Sequence, residues 1–279
     1  MRQSLVIILC VCVTSVMAQS PWVAEKGKGF AQLGYTNIGP YKDLFLSDGN
    51  AYPLSNEITD QTIQAYGEYG IGSGTSIIAA VPFKMLKSGQ SLIPSTPMSA
   101  GSGDLSTLGN IQLAVRHNFI NNKILLSGQL LTELPTAGYD AATGLRGGLN
   151  AFSIVPSISA GFSKEKLYEY ISAGAAIRTN DYSSEWRLSA EIGYQLIKRV
   201  YIIGVIDIVQ NFENGNAVES VNQLGTGLYL NNQSYFAYGI KGIIGFTDSI
   251  GVSGAFYGAG SGNLVAKSPS INFGIYYKW

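Results

Sequence analysis

The last ten residues read Ser270-Ile271-Asn272-Phe273-Gly274-Ile275-Tyr276-Tyr277-Lys278-Trp279, with an apolar or aromatic side chain at every second position. One face carries Ile271, Phe273, Ile275, Tyr277 and Trp279, and the opposite face carries Ser270, Asn272, Gly274 and Lys278. A period of two residues is the period of a β-strand. The segment therefore predicts a closing strand with one face toward an apolar medium and with Asn272 and Lys278 on the inner side.

Residues 1–18 are predicted to be a secretory signal peptide rather than part of the fold. Arg2 supplies a positive start, residues 5–16 form an apolar core, and a small-residue cleavage pattern precedes Gln19. The core is short for a membrane anchor. Because Cys10 and Cys12 both lie in it, the predicted mature domain, residues 19–279, has no cysteine for disulfides or thiolate metal sites.

The composition narrows the class of protein. The formal net charge is zero, which argues against a nucleic acid partner. Charged residues make up only 13% of the chain, below the share typical of soluble domains, and the chain holds 34 glycines and 17 tyrosines. No later apolar run is long enough for a spanning helix. An exported chain of this kind is either a secreted all-β protein or a transmembrane β-barrel.

Strand-like alternation recurs along the chain between turn signals. Strands are predicted at residues 28–38, 59–70, 75–86, 104–119, 124–135, 150–163, 167–179, 185–196, 200–211, 221–230, 234–245, 249–259 and 269–279. This number is odd, whereas bacterial single-chain barrels have an even number of strands, short periplasmic turns and longer extracellular loops. The doubtful segment lies within 221–245, where 228–244 is expected to form one long strand or a strand with a small external hairpin. The sequence thus predicts an all-β, transmembrane antiparallel β-barrel of about twelve strands.

Aromatic residues favour the membrane barrel over a soluble sandwich. They fall on apolar faces near predicted strand ends, and the main members of this expected girdle are Phe119, Trp186, Tyr194, Tyr277 and Trp279. Amphipathic rings concentrate at the headgroup level of a membrane. The predicted location is therefore the cell outer membrane, after signal-peptide export.

The opposite faces of the strands carry charged residues that are predicted to line the lumen. The candidates are Glu68, Lys84, Asp104, Arg116, Glu133, Arg178, Glu185, Arg187, Glu191, Asp207 and Lys241. They form either a selective channel lining or a mutually neutralising network that fills a narrow lumen, because buried charges need partners. In the second case, loss of Arg187 leaves Glu185 or Glu191 unpaired.

Some apolar residues share the parity of the lumen candidates, namely Ile78, Ala80, Val155, Ile203 and Val205. They indicate either an apolar patch for a hydrophobic ligand or a local error in the predicted parity. Residues 19–28 leave a similar choice, because they can form a short periplasmic extension or a plug in the lumen.

Catalytic signals are weak in this sequence. His117 is the single histidine, and its neighbours place it on the lipid-facing side. Glu185 and Glu191 lie about 20 Å apart along one strand, too far for a glycosidase pair. We therefore expect no enzymatic activity, no cofactor and no metal site.

The segment Gly103-Asp104-Leu105 follows a Pro/Ser/Gly-rich loop and opens a strand that ends near Arg116 and Phe119. With the closing strand and the predicted signal peptide, this layout resembles the outer-membrane family labelled "meta-pathway of phenol degradation". The resemblance implies a barrel that passes small, often hydrophobic, molecules. It implies no enzymatic activity and carries over no site residues beyond the Gly-Asp-Leu start.

These observations predict a monomeric outer-membrane channel or transporter for a small-molecule solute. Its expected partners are outer-membrane lipid and, through the C-terminal strand, the barrel-assembly machinery. The alternative is a structural or accessory barrel with a plugged lumen, which binds a partner protein or acts as a surface receptor.

Overall fold

The computed structural model describes residues 20–91 and 101–279, so the predicted signal peptide lies outside the described residues. The strands are β1 (Gly29–Phe45), β2 (Ala51–Gly72), β3 (Thr75–Ser91), β4 (Gly103–Leu108), β5 (Ile111–Asn121), β6 (Ile124–Leu134), β7 (Ser153–Lys164), β8 (Leu167–Arg178), β9 (Glu185–Ile197), β10 (Val200–Asn211), β11 (Ser234–Gly245), β12 (Ile250–Asn263), β13 (Val265–Ala266) and β14 (Ser270–Lys278). A short helix, α1 (Val221–Leu224), lies between β10 and β11. No helix within the described residues is long and apolar enough to cross a membrane.

The strands form one closed antiparallel barrel. Neighbours in the chain pair with each other, and β1 pairs with both β2 and β14, which closes the sheet. β4 and β5 pair with β3 in succession, and β13 and β14 pair with β1 in succession, so each couple occupies one strand position. The result is a barrel of twelve strand positions, which confirms the predicted fold class.

The two ends of the barrel differ in their connections. At the turn end, the strands are linked by short connections: residues 73–74, 122–123, 165–166, 198–199 and 246–249. β1 begins and β14 ends at this same end of the barrel. At the loop end, the connections include residues 135–152 and 212–233. β1, β2 and β3 extend further toward the loop end than predicted, so the connection between β1 and β2 is only residues 46–50.

The segment 221–230 is not a strand, and the predicted long strand over 228–244 is wrong, because β11 begins only at Ser234. The Ser220 side chain caps α1 by accepting a hydrogen bond from the Gln223 amide. Gly227 then adopts a positive φ of 69°, which glycine accommodates readily. The apolar side chains that follow, Leu228 and Leu230, are buried inside the barrel instead of facing outward.

The outer wall is apolar and the inner wall is sheltered, as the closing strand predicts. Phe273 and Ile275 are 59% and 62% exposed, whereas Asn272 on the opposite face is 3% exposed. The predicted girdle residues all lie on the outer surface: Phe119, Trp186, Tyr194, Tyr277 and Trp279. A continuous apolar exterior of this size is unfavourable in water and favourable in a lipid bilayer.

Candidate functional site in the barrel lumen

An ion-pair network crosses the loop half of the lumen. Glu185 Oε1 accepts from both Arg178 Nη2, at 2.7 Å, and Arg187 Nε, at 2.8 Å. Arg187 also reaches Glu133 Oε1 through Nη1, at 3.4 Å. These side chains come from β6, β8 and β9 and converge because alternate residues of each strand point inward. The arrangement neutralises most of the local charge, as buried ion pairs must.

Two further ion pairs lie closer to the turn end. Lys241 Nζ contacts Glu191 Oε1 at 3.0 Å, and Arg116 Nη1 contacts Glu68 Oε2 at 3.2 Å. Both cationic side chains are only 1% exposed. These pairs link strands of the inner wall near the turn end, whereas the ion-pair network around Glu185 borders a cavity in the loop half.

Asp104 does not line the lumen, so that prediction is wrong. It lies on the exposed outer face of β4. Phe83 pairs with Leu108 and Ala80 pairs with Gln112, so β3 advances by three residues while its partner advances by four. This extra residue reverses the parity between β4 and β5, because one residue of slip moves every side chain to the other face.

Sequence reasoning missed Asp60, which is buried in the lumen and pairs with Lys84 at 2.9 Å. Its parity on β2 matches that of Gln64 and Glu68, so alternation alone could have found it. The other charged candidates lie on the inner wall: Glu68, Lys84, Arg116, Glu133, Arg178, Glu185, Arg187, Glu191, Asp207 and Lys241.

Residues Ser20–Ala24, which we call the N-terminal plug, occupy the lumen near the turn end. The Trp22 ring packs edge-on against Tyr168 and Tyr170, with ring centroids 5.5 and 5.7 Å apart. Arg116 Nη1 donates to the Trp22 carbonyl at 2.7 Å, and the Ala24 amide donates to Ser76 Oγ at 2.9 Å. Of the two possibilities left by the sequence, these residues form a plug.

The inner wall is shaped to receive this plug. A side chain at Gly70 would place its Cβ 2.3 Å from the Ala24 carbonyl oxygen, and one at Gly161 would place it 2.4 Å from Pro21. Glycine is the residue that permits so close an approach of backbone to wall. The apolar inner residues complete the same cluster as Trp22: Ile78, Ala80, Val155, Ile203 and Val205. Their inward parity is therefore real, and they share one buried cluster with Trp22 of the plug.

Residues 212–233, which we call the inner loop, fold back into the loop end. The Tyr41 hydroxyl donates to the Thr226 carbonyl at 3.2 Å, and Thr226 Oγ1 donates to the Gly144 carbonyl at 3.2 Å. Leu228 and Leu230 pack in a buried cluster with Leu145. The inner loop and the 135–152 connection therefore hold each other in place.

The turn that carries Gly144 and Leu145 is fixed by Asp140. Its carboxylate accepts hydrogen bonds from the Thr143 hydroxyl, at 2.7 Å, and the Ala142 amide, at 3.0 Å. These bonds, the hydroxyl first, lower the pKa of Asp140 below its usual value. The carboxylate is therefore ionised near neutral pH.

On the loop side of the plug, below the inner loop, lies a chamber of about 370 Å³. The charged residues of its lining are Asp60, Lys84, Glu133, Arg178, Glu185, Arg187 and Asp207. The inner loop adds Leu228, Tyr229 and Leu230, and the Tyr229 ring lies 5.3 Å from Lys84 Nζ. The chamber therefore has charged walls and an apolar ceiling, a lining that suits a small solute.

Replacing Arg187 with alanine should destabilise the barrel by about 1–3 kcal/mol. Glu133 would lose its ion pair, whereas Glu185 would keep Arg178. The partner at risk is thus Glu133, and Glu191 is held by Lys241. Urea unfolding in phospholipid vesicles measures the change, and an unaltered midpoint would contradict the pairing.

Known proteins resemble this chain in fold rather than in sequence. No family model and no curated protein matches the sequence. An outer-membrane channel from Pseudomonas putida F1 superposes with a TM-score of 0.72 at 12% identity, covering 92% of this chain and 98% of that chain. The chain has an outer-membrane β-barrel fold.

More distant barrels of known structure also superpose. KdgM porin in complex with disordered oligogalacturonate has a TM-score of 0.50 at 6% identity, over 89% of this chain and 99% of that one. The translocator domain of the autotransporter NalP from Neisseria meningitidis has a TM-score of 0.50 at 8% identity, over 92% and 90%. Likenesses at these identities show the fold alone.

The single histidine, His117, lies away from the lumen. His117 lies on the outer wall, where its Nδ1 is 2.9 Å from Thr75 Oγ1 and its ring packs against Phe119. No group of three or more potential ligands among the described residues is arranged to hold a metal ion. The lumen chamber, which gathers seven charged side chains, is the candidate functional site.

Proposed function

We propose that this protein is a passive outer-membrane channel for small solutes and that the chamber is their resting place in the lumen. The observation that carries this proposal is a closed barrel with an apolar exterior around a charged chamber. The exterior suits lipid, while the chamber has both the size and the polarity of a small-molecule site. The similar fold of the Pseudomonas putida F1 channel supports the proposal.

The resemblance to the family labelled "meta-pathway of phenol degradation" supports a small and partly apolar solute. The apolar ceiling formed by Leu228 and Leu230 is consistent with such a solute. In this proposal the chain is exported by its signal peptide and is assembled as a monomer through its closing strand. The turn end then faces the periplasm and the loop end faces the exterior.

One observation favours a second function. The N-terminal plug is tightly seated, as expected for an accessory barrel that binds a partner rather than passing solutes. The two functions differ in whether the wild-type barrel passes solutes, because an accessory barrel keeps its lumen obstructed.

Solute uptake into liposomes tests the proposal. Vesicles with the wild-type barrel should admit a small sugar such as arabinose slowly, because the plug obstructs the turn end, and should exclude a tetrasaccharide such as stachyose, because the chamber holds only about 370 Å³. A Gly70→Val barrel, in which the plug is displaced, should admit arabinose faster. If neither protein passes arabinose or ions in planar bilayers, the channel function is wrong and the accessory barrel is favoured.

A further inference from the structure

The chamber contains one more carboxylate than it has cations to pair with. Its lining holds four carboxylates, Asp60, Glu133, Glu185 and Asp207, and three cations, Lys84, Arg178 and Arg187. The lining therefore carries one net negative charge when all seven groups are ionised. Any ligand that neutralises the chamber must be a cation.

Asp207 is the carboxylate in excess. Lys84 pairs with Asp60, Arg178 pairs with Glu185, and Arg187 bridges Glu185 and Glu133. Within the described residues no cation lies within 4.0 Å of Asp207 and no side-chain hydrogen bond reaches it. A sheltered carboxylate without a partner is costly, so binding of a cation there is favourable.

The guanidinium groups do not offer an equivalent site for an anion. Arg178 binds Glu185 through Nη2 and the Ser183 carbonyl through Nη1, and its Nε is a buried donor without a hydrogen-bond partner among the described residues. Arg187 is bonded to Glu185 through Nε and to Glu133 through Nη1. Both guanidinium groups are thus already paired with carboxylates, whereas the carboxylate of Asp207 has no such partner and is open to the chamber.

The surroundings of Asp207 suit an organic cation with an apolar body. Val209 on the same strand face, Leu228 and Leu230 supply apolar contact area within the same chamber. The Tyr235 ring also lines the chamber, and aromatic faces attract ammonium groups. A primary amine on a single ring is small enough for a site of about 370 Å³.

We infer that the chamber binds small amphipathic ammonium compounds, with the Asp207 carboxylate as their counter-ion. This inference names the solute class of the proposed channel and in that sense rests on the proposed function. Binding of the cation can be measured without transport, because the chamber is already formed in the structure.

Saturation-transfer NMR on the barrel in non-ionic detergent tests the inference with three probes of equal size: benzylamine, benzyl alcohol and benzoate. Benzylamine should bind wild-type protein more tightly than the neutral or anionic probe. Asp207→Asn should weaken benzylamine binding by about 10-fold to 100-fold, since a charge-assisted contact is replaced by a neutral one. Asp104→Asn, which alters a carboxylate on the outer face, should leave the affinity unchanged and controls for partitioning into detergent.

The possible results separate this inference from the proposed function. Equal binding of benzylamine to wild type and Asp207→Asn, or tighter binding of benzoate, overturns the cation site. Binding that depends on Asp207 in a protein that passes no solute into liposomes keeps the site and overturns the channel. Solute uptake without benzylamine binding keeps the channel and overturns the cation site.

Discussion

Replacing Gly70 with valine should displace the N-terminal plug and open the turn end of the lumen. The Cβ atom would lie 2.2 Å from the Glu25 carbonyl oxygen and 2.3 Å from that of Ala24, and neither backbone atom can yield locally. Overpacking of this kind costs about 1–3 kcal/mol. Because the clash exists only while the plug is seated, the equilibrium between seated and displaced plug should shift about 5-fold to 150-fold.

A single cysteine reports this opening, because the predicted mature chain has none of its own. Ser159 is buried on the inner face of β7, two residues further into the lumen than Gly161, which contacts Pro21 of the plug. In a Ser159→Cys background, a charged, membrane-impermeant thiol reagent should react slowly. The added Gly70→Val change should raise the labelling rate within the same range as the shift in the plug equilibrium.

Two matched variants control for effects on the wall itself. Gly67→Val alters the same strand, but a Cβ at Gly67 meets no atom within 4 Å, so labelling should stay slow. Gly161→Val strikes the plug from β7, where its Cβ would lie 2.4 Å from Pro21, and should act like Gly70→Val. If all three variants label at the wild-type rate, the plug does not close the turn end.

The sequence predicted the features that follow from strict alternation. A closing strand with Phe273 and Ile275 on one face and Asn272 on the other requires one apolar and one sheltered wall, and the structure has both. The same rule places Glu68, Glu185 and most other charged candidates in the lumen. Alternation works here because a closed barrel has only two faces.

Alternation fails where the backbone leaves the regular sheet. The extra residue between Leu108 and Gln112 reverses the parity that Asp104 would otherwise follow. Gly109 at this point is a sign of a bulge that alternation alone does not use. Leu228 and Leu230 also fit a lipid-facing strand, since a folded-in loop and a barrel wall both offer apolar surroundings. The difference lies in tertiary contacts such as Tyr41 to Thr226, which period and composition do not encode.

The inner loop and the N-terminal plug bound the chamber at its two ends, so only its charged walls were predictable. Glu133, Arg178 and Arg187 follow from parity, whereas the ceiling of the chamber comes from the inner loop and the turn end is filled by the plug. The sequence therefore indicated a narrow charged lumen and left its obstruction open. Contacts of the first described residues, such as Trp22 with Tyr168, decide that point.

Replacing Arg116 with methionine should be the most destabilising change in the lumen, at about 3–5 kcal/mol. Its guanidinium is the ion-pair partner of Glu68, whose side chain is 0% exposed, and it also holds Gln129 at 3.0 Å and the Trp22 carbonyl at 2.7 Å. Methionine fills a similar volume but leaves the Glu68 charge buried without its cation. Urea unfolding in phospholipid vesicles measures the loss.

A second change separates the charge from the packing. Arg116→Met combined with Glu68→Leu should recover most of the lost stability, because a buried ion pair replaced by apolar residues of similar size is often neutral. Arg199→Met should cost no more than about 1 kcal/mol, because its partner Asp248 is 85% exposed at a turn. Gly70→Val releases the plug and leaves the Arg116 side chain in place, so any excess loss in Arg116→Met over Gly70→Val belongs to the contacts of Arg116 with Glu68 and Gln129 on the wall. A double variant as unstable as Arg116→Met alone would show that lost packing, not the uncompensated carboxylate, sets the cost.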